Sequence, residues 1–363
     1  MDYTQERVAT LHDFGDADPD APVDRAAVVV PMTDRDAGGL AAERLFSSLS
    51  TIDPARVVVP VRAPPDRLPG VLDWLDGFDV ALDALWCNGP ALESLLADHG
   101  LDGGAGKGRD VWLGLGVARD VDYVALHDAD VVSHEARDLR KLLAPLADGY
   151  AVSKGYYARV ENRKLYGRLF RLLYVPLVAA LADAHDHPVL RYLGAFRYAL
   201  AGELALTADV AREMRVPRRW GLEVGILGEA YREAGFAGTA QVDLGRYEHE
   251  HRAVSGPEGL SSMAKGVARS VLRVVEEAGV APDYDDLSER YRAAATRFLA
   301  QYRADARFND FEFDESAERG QVATYADAIA EPGADDRLPA WSDCSLSRAD
   351  LREAAAADRD RVR

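Results

Sequence analysis

Two short runs, residues 26–31 (Ala-Ala-Val-Val-Val-Pro) and 56–61 (Arg-Val-Val-Val-Pro-Val), are apolar, β-branched and unalternated. A strand with one wet face alternates apolar and polar side chains, so runs like these belong to strands covered on both faces, as in a parallel sheet between two helical layers. Helical spacing over 39–49 joins them into a right-handed βαβ unit. Further strands are expected at 81–86, 122–126, 150–154 and 240–244, with helices at 109–118 and 165–184. The expected class is α/β: a Rossmann-like, mostly parallel sheet flanked by helices. Beyond it, helical periodicity over 261–278 and 287–304 predicts a helical carboxy-terminal appendage. The chain then divides into an acidic amino-terminal segment (1–24), an α/β domain carrying the motifs (25–255), a helical region (256–331) and a polar tail (332–363) expected to be mobile.

Charge removes several classes of function. Acidic residues outnumber basic ones, 61 to 43, for a formal charge of −18, so no nucleic-acid or anionic-membrane partner is expected. Residues 1–24 lack an apolar signal region and no stretch approaches the roughly 20 apolar residues of a bilayer span, which points to a cytoplasmic protein. Lysine occurs only at Lys107, Lys141, Lys154, Lys164 and Lys265, and this scarcity beside abundant Asp and Glu suits a halophilic source. Cys87 and Cys344 are too few for a disulfide framework or a thiolate metal site, which leaves oxygen and nitrogen ligands.

The sharpest motif is His127-Asp-Ala-Asp130, directly after the strand at 122–126. Open α/β sheets bind ligands at the carboxyl ends of their strands, and two carboxylates there can share a Mg²⁺ or Mn²⁺ ion. Such an ion would bridge the phosphates of a nucleotide-sugar and stabilise a leaving diphosphate; a solvated turn is the plain alternative. Gly103-Gly-Ala-Gly-Lys-Gly108 reads as a loop offering one ammonium to an anionic nucleotide or phosphate. It lacks Walker spacing, and no Gly-x-Gly-x-x-Gly follows a strand, against P-loop and dinucleotide readings. Tyr247-Glu-His-Glu-His251 supplies an imidazole that could complete the aspartate site, or merely an exposed pair; a zinc site would lack its third and fourth ligands.

Taken in order over about residues 26 to 255, these motifs resemble the glucosyl-3-phosphoglycerate synthase family. The resemblance runs through Gly106-Lys-Gly-Arg-Asp-Val-Trp112, Ala125-Leu-His-Asp-Ala-Asp130, Lys154-Gly-Tyr-Tyr-Ala-Arg-Val160, Tyr166-Gly-Arg168 with Pro176-Leu177, Leu200-Ala-Gly-Glu203, Trp220-Gly-Leu-Glu-Val-Gly225 and Ala240-Gln-Val-Asp-Leu-Gly245 with His249. It implies a GT-A type fold, shared with mannosylglycerate and mannosyl-3-phosphoglycerate synthases. It implies a divalent cation (Mg²⁺ or Mn²⁺) held by Asp128, Asp130 and His249, with His251 the lesser choice. Donor contacts are implied at Pro31, Asp34, Lys107, Asp128, Leu200, Ala201 and Gly202, and acceptor contacts at Gly167 and Arg168, whose guanidinium would receive a phosphate. Glu223, Asp130 and Lys107 are the implied catalytic residues, although Glu223 also suits a helix cap or a pairing with Arg218 or Arg219.

The activity implied is transfer of a hexosyl group, glucose by resemblance, from a nucleoside diphosphate sugar to 3-phosphoglycerate with retention, feeding synthesis of the compatible solute glucosylglycerate. Three rivals remain at this stage: mannosyl transfer from GDP-mannose to phosphoglycerate or glycerate, a sugar-phosphate nucleotidyltransferase, and a non-catalytic nucleotide-sugar binder. The chain departs from the family pattern at Phe170, where a hydroxyl residue is usual, at Ala199, where proline is usual, and in the loop 31–36. Those departures leave the acceptor and the nucleoside base open. The helical appendage needs a partner surface, which points to a homodimer.

Overall fold

The structure is a computed structural model that describes residues 5–118, 120–249 and 256–362. In chain order its strands are β1 (Ala9–Leu11), β2 (Ala26–Val29), β3 (Met32–Thr33), β4 (Arg56–Arg62), β5 (Leu82–Trp86), β6 (Tyr123–Leu126), β7 (Val152–Ala158), β8 (Val160–Glu161), β9 (Lys164–Leu165), β10 (Leu204–Thr207) and β11 (Thr239–Arg246). The helices are α1 (Leu40–Ile52), α2 (Leu68–Leu75), α3 (Pro90–Asp98), α4 (Lys107–Val117), α5 (Ala136–Ala147), α6 (Val175–Ala184), α7 (Pro188–Leu193), α8 (Ala208–Arg212), α9 (Leu222–Glu233), α10 (Gly256–Glu277), α11 (Tyr284–Phe308), α12 (Glu315–Ala326) and α13 (Arg348–Asp360).

Nine of the strands form one sheet in the order β1-β11-β7-β10-β6-β2-β4-β3, with β5 also paired to β4. Neighbours run parallel except at β10, which is antiparallel to both β6 and β7. The unalternated run of β2 follows from burial on two sides. Ala27 and Val29 pack with Leu85, Trp112 and Trp341, whereas Val28 and Val30 join Leu45, Phe46 and Leu49. Successive side chains of a strand point to opposite faces, so a strand with two cores needs an apolar residue at every position.

The segment expected to be one helix over 165–184 is a π turn, Leu169–Tyr174, followed by α6. Pro176 has no N–H to give the Leu172 carbonyl, and the Tyr291 hydroxyl of α11 donates to that carbonyl instead, at 2.5 Å. The backbone irregularity and the docking of α11 are thus one arrangement. The carboxy-terminal helices pack on the α/β layer of the same chain: α10 lies along α9 and α11 along α6. Its stripe of Ala264, Val267, Ala268, Val271, Leu272 and Val275 is buried.

Both ends of the chain need correction. The amino-terminal segment is part of the sheet, because β1 pairs in parallel with β11 through Ala9↔Ala240, Thr10↔Gln241 and Leu11↔Val242. The tail beyond 332, expected to be mobile, is docked. Trp341 stacks on Trp112 with ring centroids 4.0 Å apart and donates its indole N–H to the Trp112 carbonyl at 2.8 Å. Gly116 makes room for it, since a Cβ there would lie 2.2 Å from the indole. At the far end Asp358 accepts from the N–H groups of Ala91 and Leu92 at 2.7 and 3.0 Å, capping α3, whose own N-cap Gly89 has no side chain. The tail's few apolar residues fall on one uncovered part of the sheet's flank, and that outweighs its polar average. Among the described residues no helix is long and apolar enough to cross a membrane.

Candidate active site at the strand ends

β6 ends where the His127 N–H donates to the Val29 carbonyl at 3.1 Å. His127 turns inward, its Nδ1 2.9 Å from the Asp128 carbonyl and its ring 4.2 Å from that of His134. Asp128 then lines a small cleft together with Pro31, Lys107, Gly202 and Glu223. Lys107, expected in a loop, is the first residue of α4. The helix starts that early because its entry is pinned to residues 217–219: a Cβ at Gly108 would lie 1.7 Å from the Pro217 carbonyl oxygen, and the Arg109 N–H donates to the Arg218 carbonyl at 2.9 Å. From there the Lys107 Nζ reaches Asp128 Oδ1 at 2.7 Å and Glu223 Oε1 at 3.1 Å. Glu223 stands in the first turn of α9, entered through Gly221 at φ +89.

These charges shape one another. Against the penalty of burial, Asp128 and Glu223 hold the Lys107 ammonium above its ordinary pKa, and Lys107 in turn holds the Asp128 carboxyl below its own. At Asp130 burial and then the charge of Asp128 outweigh the pull of the Lys107 ammonium and push the carboxyl up to about 7. Glu203, fully buried and with no hydrogen-bond partner to either carboxylate oxygen among the described residues, is likewise raised to about 7, by burial and then by Asp128. Lys154 on β7 is buried beside it and donates to the Ala201 carbonyl; burial lowers its pKa to about 8 against the pull of Glu223 and Glu203. Gly202 is obligatory in this arrangement, since a Cβ there would lie 2.2 Å from Asp128 Oδ2.

His249 arrives from far along the chain. Its backbone bridges Val131 in antiparallel fashion, and the Val132 N–H donates to the Glu248 carbonyl at 2.8 Å, so it flanks the residue after Asp130. Two anchors hold it there. Tyr247 stacks on Tyr157 with centroids 4.2 Å apart and donates to Asp138 at 3.1 Å, and the His249 N–H donates to Glu161 at 3.1 Å. Burial and then Arg159 lower the His249 pKa to about 3, so the ring is neutral, and among the described residues its Nδ1 has no hydrogen-bond partner. His251 lies outside the described residues.

The remaining candidates are spread more widely. Ala201 is buried and Leu200 partly so beside Gly202. Pro31 lines the cleft, but Asp34 does not, its N–H being donated to the Arg62 carbonyl at 3.1 Å. Asp36, two residues on and buried, is the acid of that loop whose charge acts on Asp130. Gly167, at φ +77, packs against Tyr198, and Tyr198 leads through Tyr157 to His249 by ring contacts of 5.0 and 5.8 Å. Arg168 follows at the head of the π turn, half exposed and tied to Glu318 rather than to the aspartates. The sequence reading passed over Glu203, Lys154 and Asp36 as site residues. The first two stood inside quoted motifs, and lysine's rarity was a usable signal for Lys154.

A glucosyl-3-phosphoglycerate synthase of Methanococcoides burtonii is 32% identical to this chain over 388 aligned positions, which span 97% of the chain and 96% of the relative. The chain belongs to the glucosyl-3-phosphoglycerate synthase family. A second member, from Persephonella marina, is 34% identical over 285 positions, covering 74% of this chain and 70% of its own. Membership makes the chain a glycosyltransferase. Among solved structures, the Mycobacterium tuberculosis family member in complex with Mn²⁺, UDP-glucose and phosphoglyceric acid superposes with a TM-score of 0.57 at 21% identity, covering 76% of this chain and 89% of that one. The same protein with Mg²⁺ and UDP gives 0.56 at 20% identity over 76% and 88%. The shared fold is the GT-A type, as the sequence led us to expect. No model of a known protein family matches the chain.

Proposed function

We propose that the protein transfers glucose from a nucleoside diphosphate glucose to 3-phosphoglycerate with retention of configuration, using Mg²⁺ or Mn²⁺. The observation that carries this reading is the backbone pairing of His249 with Val131, which brings a neutral imidazole beside Asp128-Ala-Asp130 while Lys107 and Glu223 approach the same carboxylates. The family members solved with UDP-glucose, phosphoglyceric acid and Mn²⁺, or with UDP and Mg²⁺, support the choice of substrates and ion.

The residues present fit a divalent cation. Asp130 is raised to about 7 by burial and by the charge of Asp128, which a bound cation would relieve, Asp128 is already anionic, and among the described residues His249 Nδ1 has no hydrogen-bond partner. Among the described residues no three His, Cys, Asp or Glu side chains form a ready-made cage, so phosphate oxygens and water would fill the remaining positions. When bound, the ion offsets the negative charge that accumulates on the departing diphosphate. Lys107, kept protonated at the amino-terminal end of α4, faces the same charge and has the helix dipole behind it. Glu223 orients the sugar or the acceptor. Arg168 takes the acceptor's phosphate and brings the C2 hydroxyl to the sugar face from which the diphosphate leaves. The hydroxyl oxygen bonds to the anomeric carbon as the carbon–phosphate-oxygen bond breaks, and the hydroxyl proton passes to the departing oxygen. The product would feed glucosylglycerate, a charged solute suited to the acidic, salt-adapted surface.

A panel of UDP-, ADP- and GDP-glucose and GDP-mannose, each with phosphoglycerate or glycerate and with or without Mg²⁺ or Mn²⁺, tests the proposal. Turnover only with a mannosyl donor, or undiminished turnover in the presence of a chelator, would reject it.

A further inference from the structure

We infer that Glu318, on the carboxy-terminal helix α12, is a positioning residue for the acceptor, holding the Arg168 guanidinium by its Nε edge so that the opposite edge is presented to the acceptor's phosphate. The inference rests on the proposed reading of Arg168 as the phosphate-binding arginine.

Glu318 is 5% exposed, yet it lies in a different region of the chain from every residue assigned to the cleft. α12 is capped by Asp314, whose carboxylate accepts from the Ala317 N–H at 3.0 Å, and it packs against the π turn. Its carboxylate accepts from Arg171 Nη1 at 3.1 Å and from Arg168 Nε at 3.2 Å. The two arginines are not equivalent. Arg171 is buried and committed, with its Nε donated to the Tyr166 carbonyl at 3.2 Å, its Nη2 to the Leu165 carbonyl at 3.3 Å, and its guanidinium 4.9 Å from the Tyr302 ring. It therefore clamps the segment leading into Gly167 and has little left for a ligand. Arg168 is 51% exposed, and among the described residues its Nη groups carry no partner.

A guanidinium is planar and offers hydrogen-bond donors along two edges. An anion on the Nε edge leaves the Nη1/Nη2 edge pointing away from it, the fork that meets a phosphate with two parallel bonds. Held this way, a flexible and exposed side chain has already lost the freedom that binding would otherwise take from it. The surroundings agree. Phe170 stands where the family pattern has a hydroxyl, and it is buried against Tyr174 and Tyr198, so two residues beyond Arg168 the chain offers an aromatic wall and no polar side chain. Tyr325, two turns beyond Glu318 on the same face of α12, is fully buried, its hydroxyl has no hydrogen-bond partner among the described residues, and both Arg168 and Glu318 act on it electrostatically. The far end of the chain thus supplies a wall of the acceptor side.

Because Glu318 also neutralises buried Arg171, the test compares R171M with R171M/E318A, a pair that removes the buried cation before its counter-charge. Initial rates are measured over phosphoglycerate and over glycerate, after thermal melts confirm that each variant folds. The expected result is a KM for phosphoglycerate raised about tenfold by E318A on the R171M background, with kcat and the donor KM within twofold and glycerate kinetics unchanged. E318Q in the otherwise native chain keeps the shape without the charge and is expected to raise the same KM at least threefold. An unchanged phosphoglycerate KM in the folded variants, or an equal loss with glycerate, overturns the role of Glu318. R168A separates the two levels: if it leaves the phosphoglycerate KM unchanged, the reading of Arg168 itself is wrong, whereas if it raises that KM while the Glu318 variants do not, only the present inference falls.

Discussion

Replacing Gly202 by alanine perturbs the site through one atom. Its φ is not in the left-handed region, so alanine is compatible with the backbone and the effect is steric alone. The new Cβ would stand 2.2 Å from Asp128 Oδ2, 2.5 Å from Cγ and 2.8 Å from Oδ1. To restore ordinary contact the carboxylate must withdraw by about 1 Å, and it cannot do so while keeping Lys107 at 2.7 Å. A misplacement of about 1 Å at a positioned group lowers the rate on the order of 10²-fold. At about 1.36 kcal/mol per tenfold, that is about 2.7 kcal/mol of transition-state stabilisation. The assay is kcat/KM for the donor with saturating phosphoglycerate and Mg²⁺, beside a thermal melt. We expect a fall of about 10²-fold with the melting temperature little changed, because a partly exposed side chain yields rather than the sheet. Activity within threefold of the native chain would refute the reasoning, since it would mean that the carboxylate's position does not matter to the reaction.

Asp130→Asn gives a pH signature. The folded carboxyl, raised to about 7 from its ordinary 3.8, keeps between about pH 4 and 7 a proton that the unfolded chain has already lost, so its contribution to stability falls through that window and stays lost above it. In chelator, D130N should therefore melt above the native chain at pH 8 but close to it at pH 4.5; equal offsets at both pH values would contradict the assigned environment. With metal, the same variant should lose at least 10²-fold in turnover. Arg168→Ala should raise the apparent KM for phosphoglycerate about tenfold or more and leave donor hydrolysis unchanged, measured by nucleotide release with and without acceptor. Trp341→Ala should lower unfolding free energy by about 3–5 kcal/mol in a denaturant titration, as for a fully buried tryptophan; a loss under 1 kcal/mol would mean that the tail contributes little to the fold.

Much of the sheet could be read from residue order. The runs at 26–31 and 56–61 announce strands with two cores, and His127-Asp-Ala-Asp130 lies where such a strand ends. What escaped was long-range or conformational. Periodicity cannot reveal that Pro176 leaves the Leu172 carbonyl to a tyrosine more than a hundred residues away. Composition marked the tail as polar, but two tryptophans in contact decide its place. Within the site, Asp34 drew attention by its position after the first strand; Asp36, buried two residues on with its carboxylate accepting from the Thr33 N–H and hydroxyl, adds its charge to those acting on Asp130. The loop reading of Lys107 missed by two residues because the partners that start α4 lie at 217–219.

β10 runs against its neighbours, so it begins beside the last residue of β6, with Leu204 opposite Leu126 on one side and Lys154 on the other. Chain entering the sheet there is gripped on both sides of Gly202: downstream by the pairings of Leu204, Ala205 and Leu206, and upstream by Lys154 on the Ala201 carbonyl and by Gln241, which accepts from the Arg197 N–H at 2.9 Å. The approach to Gly202 is therefore tied to β7 and β11 by two side chains, not by the ladder that holds the aspartates. A shift in which hexose is accepted would draw on that approach only while Lys154 and Gln241 keep their hold, with the phosphate-handling residues left as they are.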